Sequence, residues 1–120
     1  MINSDLRAQK SESGIAEGLR RHIFLLTKPP GSERTKLCLL LVERTEDAVL
    51  YLAGDGVFNL LGDSPKVLAV AMQSHVRIYV CREDMQARGV KSVGAATVLD
   101  DFYDRLVADM MDDENNVYSF

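Results

Sequence analysis

Long apolar runs are missing from this chain. Its longest, around Leu37 to Val42, Ala48 to Ala53 and Val67 to Met72, fall far short of the roughly 20 residues that a membrane-spanning helix needs. The N-terminal residues lack the apolar core of a signal peptide, so a soluble, cytoplasmic protein with no membrane partner is expected. An excess of positive charge is missing too: 14 Lys and Arg face 18 Asp and Glu, giving a net charge of -4 and a pI near 5.1. A generic binder of phosphate backbones would show a basic face, so direct contact with nucleic acid is not expected. Cysteine and histidine are scarce, at two each. Cys38 and Cys81 are too far apart for a CxxC redox pair and too few for a disulfide framework, which leaves two reduced thiols. Two histidines without ligand spacing give no metal site, and no cofactor is expected. Aromatic residues make up 7% of the chain, few for a sheet this apolar, which points to faces buried by self-association.

What is present is enough for one domain around one core, since 47% of the 120 residues are hydrophobic. Residues 1–21 are polar, with Ser4, Ser11, Ser13, Gly14 and Gly18 interrupting a weak helical spacing, and read as an N-terminal extension. The folded domain is placed at 22–120. His22 to Thr27 suits a buried strand, ended by Lys28, Pro29, Pro30 and Gly31. Ser32 can cap a helix from Glu33 to Thr45, in which Leu37, Leu40, Leu41 and Arg44 recur at helical spacing. Ala48 to Ala53 is apolar on both alternating faces, as in a central strand covered on both sides. Gly54-Asp55-Gly56 then turns the chain into a short helix over Val57 to Leu61. Ser64-Pro65 favours a helix over Lys66 to Ser74, although VLAVA alone also suits a strand. Val76 to Val80 is a third strand, and Glu83 to Arg88 gives one or two helical turns that Gly89 can end in a left-handed conformation. Val93 to Val98 reads as an edge strand or a turn. Asp100 to Met111 is an amphipathic helix with Phe102, Leu106 and Met110 on one face, and Val117 to Phe120 is a closing strand. This alternation predicts an α/β fold: a single three-layer domain whose mostly parallel sheet is flanked by helices.

Ligands of such sheets collect beyond the carboxyl ends of the strands, where Gly54-Asp55-Gly56 and Cys81 both fall. A helix starting near Arg82 would bring its free amides and partial positive charge close to the Cys81 sulfur and favour a thiolate. Arg77 or Arg82 would help if turned towards it. Glu83 and Asp84 act the other way, and the sign of the net shift stays open. Asp55 can accept or relay a proton if the two strand ends adjoin. A small buried side chain is the plainer account of Cys81, and core packing among leucines that of Cys38. For Gly54-Asp55-Gly56 the plainer account is a tight turn, since it lacks the lysine or the glycine spacing of a phosphate loop.

GDGVFNLL (Gly54 to Leu61), RIYVCREDMQARGV (Arg77 to Val90), an acidic helix and a short closing strand together resemble the DsrE/DsrF/DsrH superfamily of sulfur-relay proteins. The opening LLTKPPGSERTKL (Leu25 to Leu37) and EDMQARGV (Glu83 to Val90) are most similar to the DsrH/TusB branch. The resemblance covers about residues 22 to 120. It implies a sulfurtransferase-like carrier that holds a cysteine persulfide, working in thiolation of the tRNA wobble uridine or in sulfur metabolism. It also implies homo- or hetero-oligomers with DsrE/DsrF-like homologues, and separate sulfur donor and acceptor proteins. Cys81 matches the position that carries sulfur in the DsrE/TusD branch, a position where TusB-like members often lack cysteine. Cys38 lies close to where DsrH-type members carry their own cysteine, with a shift of a residue or two. Two other readings stand beside the carrier: a noncatalytic subunit that assembles with carrier homologues, and a small-ligand-binding or signalling α/β domain. The signalling form would need several acidic residues at separate strand ends, and only Asp55 is so placed.

Overall fold

Apolar segments separated by polar turns form five strands in this computed structural model, which describes residues 20–61, 76–91 and 96–120. They are β1 (His22–Leu26), β2 (Ala48–Leu52), β3 (Val76–Cys81), β4 (Thr97–Leu99) and β5 (Asn116–Ser119). All pair in parallel in the order β4-β3-β2-β1-β5. The middle strand, β2, is the one whose AVLYL reads apolar on both faces, and all five of its residues are buried. The edge strands β4 and β5 are more polar and more open.

Helix α1 (Glu33–Glu43) begins where the Ser32 side chain accepts a hydrogen bond from the Thr35 amide at 3.2 Å. The Thr35 hydroxyl in turn donates to the Lys28 and Pro29 carbonyls, which holds the proline turn against the helix. The buried stripe of α1 is Thr35, Cys38, Leu39 and Val42, whereas Leu37, Leu40 and Leu41 are exposed. KLCLLLV is apolar on every side of the helix, so spacing alone did not set which side faces inward. After β2 comes a 3-10 helix (Gly54–Leu60), which starts earlier than the sequence indicates. Its second glycine is a packing requirement: a Cβ on Gly56 would sit 2.1 Å from the Leu26 carbonyl oxygen. The expected helix over Lys66 to Ser74 lies outside the described residues.

Helix α2 (Arg82–Arg88) follows β3 without a loop and stops at Gly89, whose φ of 69° is the left-handed turn the sequence called for. Strand β4 lies within and just beyond the region read as an edge strand or turn. Helix α3 (Phe102–Met111) buries Phe102 and Leu106, while Met110, placed on that face from sequence, is 40% exposed.

Two cores result, one on each side of the sheet. Phe24, Leu26, Leu50, Leu52, Ile78 and Val80 pack with Cys38, Leu39 and Val42 of α1, Val57 and Leu60 of the 3-10 helix, and Met85 of α2. On the other side Ile23, Val49, Tyr51 and Cys81 pack with Phe102 and Leu106 of α3. The strands step from β1 to β4 in one direction, with the described helices α1 and α2 and the 3-10 helix on one face, and the chain then returns to β5 with α3 on the other, as right-handed crossovers require. Each buried aliphatic side chain of β2 contributes about 1.5–3 kcal/mol as an upper estimate, which makes the central strand the anchor of both layers. Helix α3 is tied down further by the Tyr51 hydroxyl, which donates to Asp109, and by Arg105, whose guanidinium lies 4.8 Å from the Tyr79 ring centroid.

Candidate functional site

Adjacent strands β3 and β4 send their following helices to opposite faces, so the crevice beyond their carboxyl ends is the switch point at which ligands of parallel sheets collect. Cys81 ends β3, pairs with Leu99 of β4, and takes the N-cap position of α2. Its side chain points to the α3 face and is 1% exposed.

Burial pushes the Cys81 thiol above its ordinary value. The amides of Asp84 and Glu83 pull it down and the Asp84 carboxylate pushes it up further, but desolvation is the largest influence. The sulfur makes no capping hydrogen bond, so those amides act as nearby dipoles rather than as bonded donors. Helix-start electrostatics are therefore present and outweighed: at rest Cys81 is a neutral thiol. Arg82, which the sequence offered as a cation for the sulfur, turns instead to Asp100 across the ends of β3 and β4.

Asp84, not Asp55, is the carboxylate beside the sulfur. Its Oδ2 accepts from the Gly54 amide at 2.8 Å and from the Tyr103 hydroxyl at 3.1 Å. Burial alone would raise its pKa, but the Gly54 amide, the Tyr103 hydroxyl, the Cys81 thiol and Arg88 together hold it below the usual carboxylate range. The ends of β2 and β3 do adjoin, as Leu52 pairs with Val80. Asp55 nevertheless faces Arg88, with 3.0 Å between its Oδ1 and Nε, and Arg88 also lies 3.8 Å from Asp84. Gly54, with φ of 54°, thus serves both the turn and the site, because its amide is the one that fixes Asp84.

Cys38 lies elsewhere. It is fully buried in the α1 core, on the opposite side of the sheet, and burial pushes its thiol up to about 12. The structure brings Cys81, Asp84, Gly54 and Tyr103 together, with Asp55 and Arg88 one contact further out, and leaves Cys38 apart.

Tyr103 had no signal in the sequence, because it reaches the site from α3 only through the pairing of β4 with β3. Asp84 had one. It stands three residues after the N-cap Cys81, the spacing at which a helix's third residue turns back towards its cap. Among the described residues no group of His, Cys, Asp and Glu is arranged to hold a metal ion, and no helix is long and apolar enough to cross a membrane.

A family model described as DsrH like protein matches residues 28–116. The chain belongs to the DsrH-like family. Membership ties it to sulfur relay in general and to the assemblies through which relay proteins work. A solved protein of unknown function from Methanobacterium thermoautotrophicum shares the fold at a TM-score of 0.67, with 18% identity over 84% of this chain and 99% of that one. No curated protein matches the sequence.

Proposed function

We propose that this DsrH-like protein is a sulfur-relay component whose working sulfur is that of Cys81. The observation that carries the reading is the placement of this cysteine at the β3/β4 switch point beside a polar cluster, while Cys38 is sealed in an apolar core. The chemistry consists of two exchanges. The Cys81 thiolate attacks the terminal sulfur of a donor persulfide, forming the Cys81 S–S bond and releasing the donor thiolate. An acceptor thiolate then attacks the terminal sulfur of the Cys81 persulfide, which breaks that bond and regenerates the Cys81 thiolate. No net oxidant is needed. Because the resting thiol is neutral and covered, a partner that opens the crevice is part of the reading, in keeping with work beside DsrE/DsrF-like homologues in the cytoplasm, towards tRNA wobble-uridine thiolation or sulfur metabolism.

The burial of Cys81 and its raised pKa favour a second reading, a noncatalytic assembly subunit. Intact-mass analysis after exposure to glutathione persulfide separates the two. A one-sulfur adduct present in wild type and Cys38→Ser but absent in Cys81→Ser supports the carrier. No adduct with a DsrE/DsrF-like partner present, under conditions that load a homologous carrier, leaves the subunit role.

A further inference from the structure

We propose that Tyr103 is the hydrogen-bond donor for the sulfur anion at Cys81, exchanging its resting acceptor, the Asp84 carboxylate, for the sulfur when Cys81 is a thiolate or a persulfide. The persulfide part rests on Cys81 carrying sulfur; the thiolate part stands without it.

The reason lies in which groups meet at the crevice. On α2, Arg82 is committed to Asp100, and Arg88 to Asp55 and Asp84; Glu83 and Asp84 are anionic. From the β2 end the site receives the Gly54 amide, already bonded to Asp84, and Asp55, already paired. From α3 it receives Tyr103. A sulfur anion formed there would meet a carboxylate and no free cation among these groups, so the favourable partner still available is a neutral donor. Tyr103 is that donor. Its hydroxyl is bonded at 3.1 Å to Asp84, the third residue of the helix that Cys81 caps, and the preceding residue, Phe102, packs in the same core as Cys81. Desolvation, then Asp84, push the phenol up to about 12, so it keeps its proton while the thiol ionises.

The exchange leaves nothing stranded. When the hydroxyl turns to the sulfur, the thiol proton having gone to solvent, the Asp84 carboxylate keeps the Gly54 amide and Arg88. Nor does α3 depend on this hydroxyl for its position. Tyr51 with Asp109, Arg105 with Tyr79, and the buried Phe102 and Leu106 hold it against the sheet. Tyr103 itself is half exposed, as suits a side chain that moves.

The test follows the Cβ carbon resonances of both cysteines against pH in protein labelled at cysteine, for wild type, Tyr103→Phe and Asp84→Asn. Loss of a donor to the anion raises the Cys81 ionisation midpoint by about one pH unit in Tyr103→Phe. Loss of the neighbouring negative charge lowers it in Asp84→Asn. The Cys38 resonance, across the sheet, serves as the internal reference and does not move. A hydroxyl that acts only by bracing Asp84 would move the midpoint through that carboxylate and not in its absence, so a midpoint unmoved or lowered by Tyr103→Phe, in wild type or on an Asp84→Asn background, overturns the proposal. Asp84→Ser supplies the same background if Asp84→Asn folds poorly. Persulfide loading of the wild type is judged separately: its failure removes the carrier reading and leaves the midpoint to decide on Tyr103.

Discussion

Cys38 and Cys81 are almost equally hidden, at 0% and 1% exposure, yet their surroundings differ in kind. Around Cys38 lie Leu39, Val42 and the apolar inner face of the sheet, and nothing but desolvation moves its thiol. Around Cys81, desolvation competes with two helix amides and is reinforced by a carboxylate that is itself held by a backbone amide and a phenol. Exposure does not separate packing from a site here; the polar neighbours do. They come from three connections that leave three adjacent strand ends, whereas the neighbours of Cys38 come from within one apolar layer.

The most forceful way to break this comparison is to replace each sulfur by oxygen. Cys38→Ser puts a hydroxyl among apolar side chains, and an unpaired polar group there costs about 2–3 kcal/mol. Cys81→Ser puts the same hydroxyl at a helix N-cap, where serine is a preferred residue, so its cost stays below about 1 kcal/mol and can turn into a gain. Urea denaturation of the two variants reads the difference directly. Equal losses would mean that the Cys81 surroundings are as apolar as those of Cys38.

Alkaline pH gives a smaller contrast. A thiol whose folded pKa is raised keeps its proton in the native state while the unfolded chain loses it, so stability is intact below the unfolded value of 9.0 and falls as pH rises above it. For Cys38 the fall continues towards about 12, with a limiting slope of about 1.4 kcal/mol per pH unit. Cys81 shows a shallower fall, because the Asp84 and Glu83 amides oppose its shift. Between pH 9 and 10, where the tyrosines titrate alike in both variants, stability measured against pH should flatten more in Cys38→Ala than in Cys81→Ala.

Much of this geometry was legible in the sequence, and for definite reasons. Ser32, Gly89 and the all-apolar AVLYL each state a local requirement: a cap, a left-handed turn, and a strand covered on both faces. These set the elements and, with the alternation of strands and helices, the parallel sheet. The phase of α1 was not legible, because a helix apolar all round carries no local sign of which side is inward. Nor was the ionisation of Cys81, since it depends on whether burial or amide dipoles dominate, and burial is set by α3 arriving from the far side of β4. Tyr103 was hidden for the same reason. Asp55 was named as the carboxylate because it follows a strand end, but Arg88, arriving from α2, takes it up and leaves Asp84 next to the sulfur.

The smallest expected effect tests whether Asp84 is the element that makes the two cysteines differ. Its carboxyl is held below its unfolded value of 3.8 in the native state despite burial, by Gly54, Tyr103, Cys81 and Arg88. The native state therefore binds protons less readily than the unfolded chain. The resulting stability is fully present above that unfolded value and is lost as pH falls through the lower, folded one. In Asp84→Asn the amide oxygen would still accept from the Gly54 amide and the Tyr103 hydroxyl, but the side chain could not titrate. The acid limb of the stability profile therefore becomes shallower in this variant, while stability at neutral pH drops modestly. Thermal unfolding at a series of acid pH values measures both. An acid limb identical to that of wild type would show that Asp84 is not held as an anion by these partners, and the electrostatic distinction between Cys81 and Cys38 would then rest on the helix amides alone.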